Sequence, residues 1–305
     1  MKKKIIFQTR PGIGDMCIFL TYIIELVKKN PDSEFFLVTK KRSYVHDLLY
    51  QTNFIKKIIY VPDSKSFVSQ LNFFKYLKNY TFDTAYIYHY GLNYFLLCFF
   101  LGIKKINFYG IIKKNENICL KAEFETRKWL TDDSINFDPE FLNKKINHGT
   151  KDSITIGIGG SGKNKKWPIK NYISLIKKIL EIKKFNFIIA GGKEEEDDFQ
   201  KIKEGLDDLN IKLISLCKYS IKDAITEISK SKLYIGNDTG FMHIAGCLGI
   251  ESFGIFGDTS SNYCDYNKKI HPIKIKNNTN YKSEDIKSVS EEYVLNYLQD
   301  RFIII

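Results

Sequence analysis

The amino-acid sequence predicts an α/β fold made of two Rossmann-like domains facing each other across a cleft. Three observations predict it. Short apolar runs alternate with helix-length stretches along most of the 305 residues, which is the pattern of parallel βαβ units. The alternation halts at a polar stretch, 143–151 (NKKINHGTK), and then restarts. Each half opens on a strand that runs into a glycine-rich turn, RPGIGD in the first and GIGGSGK in the second. The polar stretch reads as a linker, giving domains of residues 1–148 and 149–305, with the terminal helix a candidate to pack back on the first domain.

In the first half, residues 4–8 (KIIFQ) read as a strand and 14–29 as a helix. A strand at 34–39 (EFFLVT), a helix at 44–49 and a strand at 57–61 (KIIYV) follow. Next come a helix at 66–78, a strand at 84–88, a helix at 93–101 and a short strand at 105–108. In the second half, strands at 153–158, 185–190 and 212–216 alternate with helices at 169–182, 194–206 and 221–229. Residues 233–257 then form a strand–turn–helix–strand unit, and 284–299 reads as a terminal helix.

The net charge of +12 and a pI near 9.1 point to an anionic partner. No RRM, KH, helix-turn-helix or zinc-finger pattern accompanies the charge, so nucleic acid is not expected. The six cysteines are widely spaced, form no CxxC pair and mostly sit in apolar surroundings. They read as small core residues of a reducing compartment. Only three apolar residues follow the basic N-terminus, too few for a signal-peptide core. The longest apolar run, 94–103, falls short of the roughly 18–20 residues a membrane span needs. A cytoplasmic protein is expected, with peripheral attachment to the inner face of the membrane left open.

Four turns carry chemistry. After the first strand, Gly12 and Gly14 allow a tight turn and close approach of a ligand to the backbone, and Asp15 stands at the helix start. This is neither GxGxxG nor a P-loop. A carboxylate there would repel a pyrophosphate, so Asp15 suits accepting a proton from a hydroxyl, unless it only caps the helix. The second half opens on GIGGSGKNKKWP: glycines and Ser161 that expose backbone N–H groups, lysines that neutralise phosphate, and Trp167 placed to wedge the turn against the core. The third turn, GGKEEE from Gly191, ends in acids that stabilise a helix start, one of which could reach a ribose hydroxyl. Within 233–257, the GNDTG turn delivers unpaired N–H groups to a helix start that attracts anions, although Asp238 and Thr239 also serve as ordinary caps.

Taken in order, these motifs resemble glycosyltransferase family nine, the heptosyltransferases, inverting enzymes of the GT-B fold. The match consists of GxGD after the first strand, KxWP at Lys165–Pro168, the GG-plus-acid turn, and DTGFMHIAGCLGIESFGIFG from Asp238 to Gly257, followed by Asp258 and Thr259. The segment GLNYFLLCFFLGIKKINFYG is also similar to the family's helix and short strand late in the first domain.

The resemblance implies that Asp15 is the catalytic base that deprotonates an acceptor sugar hydroxyl. Lys165 would lie by the diphosphate and donor sugar, and Asp238 would meet sugar hydroxyls. The N–H groups of Thr239, Gly240 and Phe241 would hold the diphosphate, with His243 supporting them. Glu195 is the candidate for the nucleoside contact and Glu194 its rival; Gly14 and Ser161 complete the expected donor site. No metal or other cofactor is implied, since fixed amides and a lysine can stabilise the leaving group. The expected partners are a nucleotide sugar, with ADP-heptose implied, and an anionic glycan or glycolipid of the lipopolysaccharide core.

Other readings stay open: another GT-B glycosyltransferase, a nucleotide-sugar 2-epimerase of the same fold, or a two-lobed binding module without turnover. Asp15 together with Lys165 speaks against the last. A dehydrogenase would need GxGxxG and an acid about 20 residues on, which are missing.

Overall fold

Every strand pairing among the described residues is parallel, as crossover connections through helices require. The computed structural model describes residues 1–50, 52–110, 116–143, 151–160, 165–257, 260–274 and 286–301. The chain divides into Met1–Pro139 and Glu140–Ile305, earlier than the linker composition marks. Phe141 and Leu142 are buried, and the Leu142 N–H donates to the Cys247 carbonyl at 3.1 Å, which ties this stretch to the second unit.

The first unit runs β1 (Lys2–Phe7), α1 (Ile13–Lys28), β2 (Ser33–Thr39), α2 (Val45–Leu48), β3 (Lys57–Tyr60), α3 (Phe67–Lys78), β4 (Thr84–Ile87), α4 (Leu92–Phe100), β5 (Lys105–Phe108) and α5 (Ile118–Leu130). Its sheet order is β3-β2-β1-β4-β5. Side chains alternate across the strands. Ile5, Phe7, Phe36 and Val38 meet α3 through Phe73 and Leu77, and α4 through Tyr94 and Cys98. The opposite face carries α1, which packs against α5; Trp129 of α5 touches the rings of Tyr86 and Tyr88 at 5.6 and 4.9 Å.

The second unit runs β6 (Ser153–Gly157), α6 (Ile169–Ile182), β7 (Asn186–Ala190), α7 (Glu196–Gly205), β8 (Leu213–Ser215), α8 (Ile221–Ile228), β9 (Ser231–Asn237), α9 (Gly240–Cys247), β10 (Glu251–Ile255), β11 (Ile270–Ile273) and α10 (Glu291–Gln299). The sheet order is β11-β10-β9-β6-β7-β8. In α6 the buried positions are Tyr172, Leu175, Ile176 and Ile179, the spacing that puts one helical face on a core. That helix also receives α10, held by the Trp167 indole N–H donating to the Val289 carbonyl at 2.8 Å. The six cysteines are all buried.

Three elements differ from the sequence reading. Helix α5 was not expected. Strand β11 was not expected either; it lies at a sheet edge, where its Pro272 removes no ladder bond that matters. Helix α10 starts at Glu291, because Ser290 caps it by accepting the Tyr293 N–H at 3.2 Å; residues 281–285 lie outside the described ones.

Candidate functional site

In an open parallel sheet, ligands gather at the carboxyl ends of the two strands where the strand order reverses. In the first sheet that point lies between β1 and β4, and in the second between β6 and β9. Asp15 follows β1, Lys165 follows β6 and Asp238 follows β9.

At the first edge, β1 leaves the sheet through Gln8, Thr9 and Arg10. Gly12 takes φ +116°, ψ 151°, a region that only glycine enters without strain. It is the N-cap of α1, and no side chain caps that helix. Asp15 is therefore not a cap. Its Oδ1 accepts from Arg10 Nε at 2.9 Å and its Oδ2 lies over Gly12, while the side chain stays partly exposed. Gly14 lies in the same first turn.

From β4 comes His89, which sequence reasoning did not single out. Its Nδ1 accepts the Gly91 N–H at 2.9 Å, so the neutral ring carries its proton on Nε2. The ring stacks on Tyr90 at 4.8 Å and meets the edge of Tyr94 at 5.1 Å. Burial, then the positive charges of Arg10 and Lys40, depress its pKa to about 4. A neutral imidazole, a guanidinium and a carboxylate thus lie at the first switch point. Only strand order brings 10, 15 and 89 together, and strand order is not local in sequence.

At the second edge, the ends of β6 and β9 meet where only glycine fits. A Cβ on Gly236 would strike the Gly157 backbone, and one on Gly157 would strike the Tyr234 hydroxyl. Asn237, fully buried, completes β9. Its amide oxygen accepts from the Trp167 N–H (3.0 Å) and the Tyr172 hydroxyl (2.8 Å), and its NH₂ donates to the carbonyls of Ile158 (3.0 Å) and Gly159 (2.9 Å). That is an amide's full complement of four bonds. Asn237 fastens the β6 turn, the Trp-Pro segment and the β9 turn to one another.

Asp238 follows. One carboxylate oxygen lies 3.7 Å from Lys165 Nζ and the other 3.9 Å from His243 Nε2. The His243 Nδ1 is 3.0 Å from the Tyr266 hydroxyl, so the imidazole is braced from behind by a residue that no motif marked. Thr239 is the N-cap of α9 without using its side chain for the purpose. The amides of Gly240 and Phe241 open that helix with no preceding turn to bond to. Capping alone does not account for the turn.

Glu195 is buried: Oε2 accepts the Gly192 N–H at 2.7 Å and Oε1 pairs with Lys166 Nζ at 2.7 Å. Its Oε2 also lies over Gly159, at the end of β6. Glu194 is exposed. Ser161, Asp258 and Thr259 lie outside the described residues. Among the described residues, no three His, Cys, Asp or Glu side chains gather as a metal site, and no helix is long and apolar enough to cross a membrane.

The sequence model of glycosyltransferase family 9 (heptosyltransferase) matches residues 93–294, more than half of the chain. Lipooligosaccharide heptosyltransferase 2 of Campylobacter jejuni subsp. jejuni serotype O:6 is 29% identical over 47% of this chain and 44% of its own length. Lipopolysaccharide heptosyltransferase 1 of Campylobacter coli is 29% identical over 50% of this chain and 47% of its own length. The chain spans under half the length of these curated relatives. Among solved structures, E. coli heptosyltransferase WaaC with ADP-2-deoxy-2-fluoro heptose superposes with a TM-score of 0.78, covering 98% of this chain and 99% of the other at 14% identity. At that identity the likeness establishes the fold.

Proposed function

The chain belongs to glycosyltransferase family 9, and from that premise we propose that it transfers a heptose from ADP-heptose to a lipopolysaccharide-core acceptor with inversion at the anomeric carbon. The observation that carries this reading is the second edge. Asp238 lies between Lys165 and His243, at the mouth of a helix with open amides, on a turn fixed by Asn237. A diphosphate that gains a negative charge as it leaves suits open amides and a lysine, which stabilise charge as it develops.

An acceptor hydroxyl forms the new bond to the anomeric carbon while the bond from that carbon to the diphosphate breaks. The hydroxyl proton passes to Asp15, held in place by Arg10. The electron pair leaves with ADP, whose charge meets Lys165 and the amides of Thr239, Gly240 and Phe241. Asp238 contacts donor hydroxyls, and His243 keeps it oriented. Glu195 has two of its roughly four acceptor positions in use, leaving capacity for a ribose hydroxyl. The chemistry asks for no metal. The ADP-heptose donor is supported by the analogue that WaaC is described with, and the acceptor by the lipopolysaccharide and lipooligosaccharide relatives.

The test is thermal stabilisation by ADP, UDP, GDP and CMP in parallel without added metal. A ligand that binds only the folded chain raises its midpoint. Selective stabilisation by ADP, weakened in Lys165→Ala, is expected. A preference for UDP would retain the fold and replace the donor, which would favour the 2-epimerase alternative.

A further inference from the structure

Helix α4, LNYFLLCFF, contains no charged residue, and its polar groups are the exposed Asn93 and the hydroxyl of the buried Tyr94. Tyr94 and Cys98 are buried against the first sheet. On the outer side, Leu92 (57%), Leu96 (50%), Phe99 (64%) and Phe100 (69%) stand exposed, at the i, i+4, i+7, i+8 spacing of one continuous stripe. Scattered exposed leucines are ordinary; a contiguous apolar stripe marks a surface meant to be covered. Helix α3 packs on the same sheet face and also presents large apolar groups, Phe67 at 80% and Val68 at 65%.

The charge around this face is one-sided. Between residues 64 and 110 the sequence holds five lysines and a single acid, Asp83. Lys78, from the end of α3, and Lys104, just past α4, line one surface depression together with Leu101 and Gly102. Asp83 also lines it, and accepts the Lys3 N–H at 2.8 Å. The basic groups therefore border the end of the stripe at Phe99 and Phe100.

We propose that this α3–α4 face docks on an anionic lipid bilayer, with the α4 stripe entering the headgroup layer and the bordering lysines meeting lipid phosphates. A second copy of the chain fits poorly, since it would bring the same lysines against this face. A span is excluded by length: nine residues rise only about 13 Å, against roughly 30 Å of hydrocarbon. Short amphipathic and aromatic faces with basic flanks lie in the interface instead. The stripe begins at Leu92, three residues after His89, so docking would bring the first switch point close to the lipid surface. The proposal concerns the first unit alone and stands whether or not the chain transfers a sugar.

Flotation of the full chain with lipid vesicles tests it, comparing neutral phosphatidylcholine with a mixture holding about 30% phosphatidylglycerol. The chain is expected to float with the anionic vesicles and to be released at about 1 M salt, where screening is nearly complete. Phe99→Glu/Phe100→Glu should weaken binding by roughly tenfold or more. Lys78→Glu/Lys104→Glu should do the same without touching α4, which keeps the test valid if the first pair misfolds. Leu120→Ser/Phe124→Ser, on α5 of the opposite face, should float like the parent chain. Absence of flotation, equal flotation on neutral vesicles, or an equal loss in the α5 variant would each overturn the proposal. So would a dimer in light scattering that Phe99→Glu/Phe100→Glu dissociates while vesicle binding is missing.

Discussion

At the carboxyl edge of the second sheet, Asn237 is fully buried and makes all four of its hydrogen bonds. At the carboxyl edge of the first, Gln8 is equally buried, yet neither atom of its amide has a partner among the described residues. On the adjacent strand, the buried Thr39 hydroxyl is likewise unpaired. An orphaned buried polar group costs about 1–3 kcal/mol, so Gln8 carries a cost that Asn237 avoids. On the proposed reading, the donor edge is assembled before its ligand arrives, and the acceptor edge completes its bonding only with ligand or water.

The largest expected effect tests the active end of that contrast. Asp15→Asn keeps the size and the Arg10 contact but cannot take up a proton. Transfer should fall by about 10²–10⁴-fold in kcat, while donor affinity, which belongs to the second edge, stays near that of the parent. Rate measurements beside calorimetric titration of ADP separate the two. A variant as active as the parent would remove Asp15 as the base.

The next effect compares the edges through stability. Asn237→Leu strands the Trp167 N–H and the Ile158 and Gly159 carbonyls, which should cost about 2–4 kcal/mol in urea unfolding. Gln8→Leu removes an amide that bonds to nothing, so it should be neutral or mildly stabilising. If Gln8→Leu proved as costly as Asn237→Leu, the first edge would be as fully bonded as the second and the contrast would fail.

The same contrast explains what the sequence revealed. The strands and most helices were legible because apolar runs and turn glycines are local signals, and Asp15, Lys165, Glu195 and Asp238 could be singled out as candidates because they follow those turns. Helix α5 was not: its buried positions, among them Cys119, Ala122, Thr126 and Trp129, are interleaved with charges while Leu120 and Phe124 face outward, which blurs the helical period. Pro272 disguised β11. Asn237 was read as part of a polar turn because nothing in one strand announces four partners from β6, the Trp-Pro segment and α6. His89 needed the strand order.

The smallest effect concerns that histidine and the pH dependence of the fold. The His89 pKa drops from 6.5 to about 4 on folding, through burial first and then the charges of Arg10 and Lys40. Between these values the unfolded chain binds more protons, so stability rises with pH. The contribution is complete above about pH 6.5 and is lost as pH falls toward 4. Asp132, lowered to about 2 by Ser134 and Lys29, acts in a separate window, its share being lost below about pH 3.8. Urea midpoints of the parent should therefore decline between about pH 6.5 and 4, and those of His89→Gln should decline less. An unchanged slope would mean that His89 is protonated as readily in the folded chain as in the unfolded one. The first edge would then hold a cation beside Arg10 in that range, instead of the neutral ring that its bond from Gly91 requires.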